Sequence, residues 1–208
     1  MELTGPKVSI RPVALANLPA LCRWWNDLVV MREVRAERLR PSLDSILSKS
    51  WPVWRNPGPD QYHLFVICLS GRPVGEIGYI FEDLTERRAS LDIKIGEPAL
   101  WSQGSGTEAM RLFVAYLLAE VKAERLIAQP GDWNRRSIRL FEKCGFRETG
   151  RPSVSANYYF DGGTAVTMAL ARAAFESTKQ GALTPRTPSP AAAEEGEMYL
   201  ERVLRPLS

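Results

Sequence analysis

The stretch with the most chemical promise runs from Asp92 to Met110, D-I-K-I-G-E-P-A-L-W-S-Q-G-S-G-T-E-A-M. Its centre, Gln103-Gly-Ser-Gly-Thr107, is a glycine-rich turn opening an apolar helix. The first turn of a helix leaves backbone N–H groups unpaired, and the helix dipole adds partial positive charge there. Such an end suits an anion, and here it reads as a pyrophosphate cradle. Gly104 and Gly106 lack a Cβ, so a ligand can approach the main chain. The same residues also make an ordinary strand-to-helix turn, and Gly-x-Gly alone does not separate the two. Other phosphate motifs are excluded. No G-x-x-x-x-G-K-[ST] occurs, and no acidic residue lies on a following strand about 20 residues on, as dinucleotide binding requires; Glu124 precedes that strand.

Two elements must position this turn. Leu91, Ile93 and Ile95 alternate with Ser90, Asp92 and Lys94, which predicts a strand with two unlike faces that Pro98 ends. Met110, Leu112, Phe113, Tyr116, Leu117 and Leu118 recur at helical spacing up to Val121.

Around them, Val8–Val13 predicts a first strand. Asn17 is the expected cap of a helix carrying Leu18, Leu21, Cys22, Trp24 and Trp25, and Ser42 that of a helix through Trp51. Met31–Leu39 reads as a loop or frayed helix. Tyr62–Leu69 and Arg72–Phe81 form a hairpin about Ser70-Gly71. After the central motif come a short strand at Arg125–Gln129 and a helix over Asn134–Lys143 with Gly145 as its C-cap. Strands at Phe146–Ser153 and Ala165–Leu170 follow. The order predicts an α/β (α+β) fold, a mixed sheet with helices packed on it. The domain spans residues 1–172, a Pro/Ala-rich linker 173–196, and a short amphipathic segment 197–208.

The bounds are those of one globular domain: 208 residues, 45% hydrophobic, formal charge +3. No apolar run approaches the roughly 18 residues of a membrane helix, and Met1–Lys7 has no signal-like segment, so a cytoplasmic protein without membrane contact is expected. Cys22, Cys68 and Cys144 lie far apart in apolar contexts, without metal spacing. The lone His63 begins an apolar strand and reads as structural. Arginines are scattered, with no basic run interleaved with aromatics, so no nucleic-acid partner is expected.

Several segments, in order, resemble the GNAT N-acetyltransferases. L-D-I-K-I-G-E-P-A-L-W-S-Q-G-S-G-T-E-A is similar to their acetyl-CoA motif, [QR]-x-x-G-x-[GA]. N-R-R-S-I-R-L-F-E-K-C-G-F is similar to their N-x-x-A-I-x-x-Y-E-K-x-G-F segment, and W-W-N-D and G-R-P-V-G-E-I-G-Y to an early helix and a hairpin strand. The resemblance covers about Val8 to Arg172. It implies a splayed sheet with acetyl-CoA in the splay, its pyrophosphate on the amides of Gln103, Gly104, Ser105, Gly106 and Thr107. The pantetheine arm would pair with the main chain of Ile93 and Ile95, and Asn134 would touch the cofactor. A bulge in the central strand would offer an N–H to the thioester oxygen. No metal is implied.

Trp101 stands where the family often has Gln or Arg, and Phe141 where many members carry a Tyr that protonates the leaving thiolate. Tyr158 or Tyr159 could stand in for it. Asp92 lies twelve residues before Gly104, the spacing of the catalytic aspartate in the aminoglycoside 6′-N-acetyltransferases, and F-D-G-G-T-A-V-T-M is similar to their closing hairpin. Otherwise Asp92 is a solvated carboxylate paired with Lys94. Glu76, Glu82, Asp83, Glu86 and Glu97 either make an acidic cleft for a polycationic amine or balance Arg87 and Arg88. The resemblance implies acetyl transfer to a primary amine of a small polar molecule, with an aminoglycoside as leading class. Protein N-termini, polyamines, or a non-catalytic acyl-CoA-binding domain are the alternatives, and a homodimer stays open.

Overall fold

The computed structural model describes residues 2–34, 36, 39–154 and 163–177. An eight-stranded sheet runs in the order β1-β2-β3-β4-β5-β6-β10-β7. Its strands are β1 (Leu3–Thr4), β2 (Val8–Pro12), β3 (His63–Leu69), β4 (Arg72–Asp83), β5 (Arg88–Ile95), β6 (Arg125–Ala128), β7 (Arg147–Gly150) and β10 (Thr167–Ala171). A small ribbon pairs β8 (Ser153–Val154) with β9 (Gly163–Thr164). The β5–β6 pair is parallel and the other described pairs are antiparallel, so the mixed sheet is as expected. The expected Phe146–Ser153 strand divides into β7 and β8 around Arg151 and Pro152. Ser70 and Gly71, at φ 50° and 77°, make the two-residue turn of the β3–β4 hairpin.

The helices are α1 (Leu18–Asn26), α2 (Leu28–Glu33), α3 (Leu43–Ser45), α4 (Trp51–Trp54), α5 (Ser105–Ala119), α6 (Arg135–Lys143) and α7 (Arg172–Ser177). A π-helical turn, Ile46–Ser50, joins α3 to α4. Ser42 caps α3 by accepting the Ser45 N–H at 3.1 Å. Asn17 departs from expectation. Its buried side chain turns back to accept the Ala14 N–H at 2.9 Å instead of capping α1 forward. The 31–39 stretch, read as a loop or frayed helix, begins helical: α2 ends at Glu33, and Asp27 caps it through the Val29 and Val30 N–H groups.

Two apolar layers sandwich the sheet. Strand β3 is buried on both faces, which is why its sequence is apolar throughout. Phe65 and Ile67 face α5, packing with Phe113 and Leu117. Leu64, Val66 and Cys68 face α1, packing with Leu21 and Trp24. Cys68 and Cys144 are buried thiols and Cys22 is half-buried. His63 stacks on Tyr79 at 4.6 Å, with its Nε2 3.1 Å from the Gly58 carbonyl, and burial lowers its pKa. Among the described residues no helix is long and apolar enough to cross a membrane, and no His/Cys/Asp/Glu group could hold a metal. The packed chain continues past Arg172: α7 lays Phe175 against the main core, and Arg172 binds Glu124 at 2.9 Å.

The sheet opens where the site lies. Strands β5 and β6 pair only over Arg88↔Arg125, Ala89↔Leu126 and Ser90↔Ile127. Beyond Ser90, β5 stays with β4 while β6 runs on with β10. A wedge opens between Leu91–Ile95 and the chain after Ala128.

Candidate active site

Main-chain direction alternates along a strand, with the N–H and C=O of one residue pointing the same way. The Arg87 carbonyl accepts from Glu124 N–H at 2.9 Å, on the β6 side, and Gly96 N–H donates to Val74 at 2.9 Å, on the β4 side. Odd-numbered residues of β5 therefore turn their polar main-chain groups toward β6. Past Ser90 that partner is gone, so the main chain of Leu91, Ile93 and Ile95 faces the wedge. The Trp101 indole N–H takes one of these groups, the Ile95 carbonyl, at 2.8 Å and so pins the turn to the strand end. The expected bulge is not at this point. The β4–β5 register runs unbroken from Gly75↔Ile95 to Phe81↔Ala89 and shifts only beyond Phe81. Outward-facing amides arise here by loss of a neighbouring strand.

The turn at 102–107 feeds α5. Gly104 is its N-cap residue, at φ 91°, a left-handed conformation that glycine adopts without strain. A Cβ there would meet nothing within 4 Å, so the space over the turn is open. Gly106 has another reason to be glycine: a Cβ would sit 3.2 Å from Leu140 and 3.5 Å from Ile95, so this position sets how closely α5 approaches α6 and β5. The first helical bond of the turn runs from Glu108 N–H to the Gly104 carbonyl, which leaves the N–H groups of Ser105, Gly106 and Thr107 ahead of it. Gln103 directs its side-chain amide away, onto the Ala99 carbonyl at 2.6 Å.

A cavity of about 370 Å³ lies over this turn. Gly104, Gly106, Thr107, Ile93, Ile95 and Asn134 line it, and so do Arg136, Arg139 and Lys143 of α6. Those three cations were not singled out in the sequence; their spacing of three and four residues along one helix face was the available signal. An open glycine cap, unpaired first-turn amides and a basic wall fit a pyrophosphate-bearing group.

A second cavity, of about 320 Å³, adjoins it along β5. It is lined by Leu91, Asp92 and Ile93 on one side and by Gln129, Pro130, Gly131 and Ala165 on the other, with Phe141 at its back. Phe141 is buried against Phe146, ring centroids 5.2 Å apart, and presents no hydroxyl. Tyr158 and Tyr159 lie outside the described residues. Glu33 borders both cavities and bridges them to α6. Its carbonyl accepts from Trp133 Nε1 at 3.2 Å and Asn134 Nδ2 at 3.1 Å, and its carboxylate pairs with Arg136 at 2.7 Å. Asn134 lines both cavities. Its side chain is engaged with Glu33 and, as N-cap of α6, with Ser137 N–H at 3.0 Å. Arg136 also stacks over Trp101, 4.1 Å from the ring centroid.

Asp92 stands across β4 from Gly78. It does not pair with Lys94. Lys94 reaches Glu76, directly opposite it on β4, at 2.7 Å, and Trp25 Nε1 donates to the same carboxylate at 2.9 Å. Asp92 instead accepts the Tyr62 O–H at 2.7 Å. The enclosing walls push its carboxyl up to about 6; the Tyr62 hydrogen bond lowers it, Glu76 raises it and Lys94 lowers it. Water still reaches this carboxylate in the open cleft. That water screens part of the shift while the cleft is open.

The other acids are spoken for. Glu82 and Glu86 hold Arg88, Glu97 holds Arg23 and the Trp24 indole, and Asp83 caps the Thr85 and Glu86 amides. They balance local cations and amides and do not form a free acidic cleft.

A family model for the acetyltransferase (GNAT) domain matches residues 7–147. An aminoglycoside N(6′)-acetyltransferase type 1 from Serratia marcescens is 24% identical, with 85% of this chain and 89% of that protein aligned. An N-acetyltransferase 9-like protein from Nematostella vectensis is 22% identical over 74% of this chain and 81% of its own. Among solved structures, AAC(6′)-Ib in complex with ribostamycin and coenzyme A superposes with a TM-score of 0.71 at 23% identity, covering 83% of this chain and 98% of that one. The splayed sheet, the glycine turn and the family match over most of the chain agree, and the chain belongs to the GNAT acetyltransferases.

Proposed function

We propose that this protein moves the acetyl group of acetyl-CoA to a primary amine of a small polar molecule, with aminoglycosides as the leading acceptor class. The observation that carries this is Asp92. It is a carboxylate on the cleft wall, beside the outward-facing main chain of Leu91 and Ile93, with its pKa raised toward neutrality and held by one neutral donor.

Acetyl-CoA supplies an acyl carbon already activated as a thioester. The unpaired amides of Ser105, Gly106 and Thr107, with Arg139 and Lys143, hold its phosphates. The main chain of Ile93 and Ile95 offers strand-like pairing to its arm. Outward N–H groups of β5 donate to the acyl oxygen, where negative charge builds during attack. The acceptor nitrogen must lose a proton as the N–C bond forms, and Asp92 is placed to take it. A carboxylate of raised pKa is a stronger base than a free one and is still ionised at neutral pH. The C–S bond breaks with its electron pair on sulfur. Phe141 cannot protonate that sulfur, and a CoA thiol is acidic enough to leave as the anion without it.

A relative named alpha/beta-tubulin-N-acetyltransferase 9, from Mus musculus and 24% identical over 73% of this chain, keeps a protein acceptor as the second reading. An acetyl-CoA turnover screen over aminoglycosides, polyamines and N-terminal peptides tests the assignment. Acetylation of an aminoglycoside amine is expected. Turnover confined to peptides or polyamines would move the chain to those classes. Tight CoA binding without turnover of any amine would make it a non-catalytic acyl-CoA-binding domain.

A further inference from the structure

Asp92 has one side-chain partner among the described residues, and that partner comes from the chain just before β3, two strands away in the sheet. Tyr62 immediately precedes β3, and its ring crosses β4 at Gly78, the residue directly opposite Asp92 in the β4–β5 register. A Cβ at Gly78 would collide with the Tyr62 phenol and would stand 2.8 Å from the His63 carbonyl. Glycine at this point is therefore what lets the phenol approach the strand so closely. From there the O–H reaches Asp92 Oδ1 at 2.7 Å.

We infer that Tyr62 is the positioning residue for Asp92: seated over Gly78, it fixes the carboxylate through Oδ1 and leaves Oδ2 to face the acceptor amine. This rests on the reading of Asp92 as the base. The phenol suits the task. It is neutral, so it orients the carboxylate without cancelling its charge as a lysine would. It stays protonated, because burial, the charges of Asp92 and Glu76 and the hydrogen bond to Asp92 all raise its pKa well above the ordinary value. Among the described residues, the charges acting on Asp92 are Glu76 and Lys94, which pair with each other at 2.7 Å, while Glu33, on the border of the same cavity, has its carboxylate on Arg136 at 2.7 Å. Among the described residues, Tyr62 is thus the neighbour whose removal changes Asp92 without creating a new unpaired charge.

The test is a carboxyl-carbon NMR titration of the full chain, wild type, Tyr62→Phe and Asp92→Asn, the last identifying the Asp92 signal. It is combined with the pH profile of kcat, for the acceptor that the class screen returns. A hydrogen bond to the ionised form favours that form, so losing it raises the carboxyl pKa. The Asp92 midpoint should move up by roughly one pH unit in Tyr62→Phe, and the acid limb of kcat should move with it. KM for acetyl-CoA should stay unchanged. Gly78→Ala, if its melting temperature stays near wild type, should displace the ring and shift the midpoint the same way. An Asp92 midpoint unmoved in Tyr62→Phe overturns the inference whatever the kinetics. So does an unmoved acid limb while Asp92→Asn is slow. Wild-type turnover in Asp92→Asn overturns the base assignment itself, and a Tyr62 role in catalysis with it.

Discussion

Replacing Asp92 by Asn keeps the size of the side chain and still lets an amide oxygen accept the Tyr62 O–H, so the local geometry survives. What is lost is basicity. General base catalysis contributes about 10²–10⁴-fold, and turnover should fall by that factor. With the carboxyl pKa at about 6 in the wild type, kcat should drop roughly tenfold per pH unit below that value and level off above it. The Asn variant should lose this limb, and its residual rate should climb as the acceptor amine deprotonates in solution. Stability moves the other way. In the open cleft, where water screens part of the shift, the folded carboxyl still titrates above the unfolded value of 3.8, so just above that value the folded state binds more protons and stability falls modestly as pH rises. The folded state is then disfavoured at neutral pH relative to pH 3.8 and below. Asp92→Asn removes that penalty and should raise Tm at pH 7.5 while leaving it near wild type at pH 4. The assay pairs release of free CoA thiol with thermal melts at both pH values. Turnover within threefold of wild type across pH 5–9 would refute the base assignment. A Tm lowered at pH 7.5 would refute the desolvation argument.

Gly104→Val should weaken CoA binding by about tenfold or more, because a branched residue at φ 91° is strained by roughly 1–2 kcal/mol and its side chain enters the open space over the turn; unchanged calorimetric affinity in a folded variant would refute the cradle. Gly106→Val should act on packing instead and lower Tm, since its side chain presses on Leu140 and Ile95; a melt at wild-type temperature would contradict that. Arg139→Ala and Lys143→Ala should each cost a few-fold in CoA affinity, about 0.2–1 kcal/mol, with the loss fading in high salt; a salt-independent loss would deny an electrostatic role. A chain ending after Arg172 should melt roughly 3–6 °C below one ending after Ser177, because Phe175 leaves the core. The Pro-rich 178–208 stretch falls outside the described residues, and equal melts for both truncations would refute the packing of α7.

What was legible in the sequence follows local rules, and what was not follows register. The strand at 88–95, the turn at Gly104 and the helix after it announce themselves by period and by turn chemistry, and the structure places them so. Phe141 was visible as a substitution because a motif fixed its neighbours. The local environment of Asp92 was not visible. Lys94 sits two residues away on the same face and looks like its partner, but cross-strand neighbours lie closer than i, i+2 neighbours along one strand. Glu76 is opposite Lys94 only because the hairpin of β3 and β4 and the β4–β5 register bring it there. Nothing periodic links residues 25, 76 and 94, or 62, 78 and 92. Gly78 shows the limit most plainly. In sequence it is one more glycine in a strand, a weak point with no side chain to pack. In the fold it is the space through which Tyr62 reaches Asp92. The glycine is explained by its neighbour's ring, and that ring by the carboxylate it holds; neither explanation exists until three strands are laid side by side.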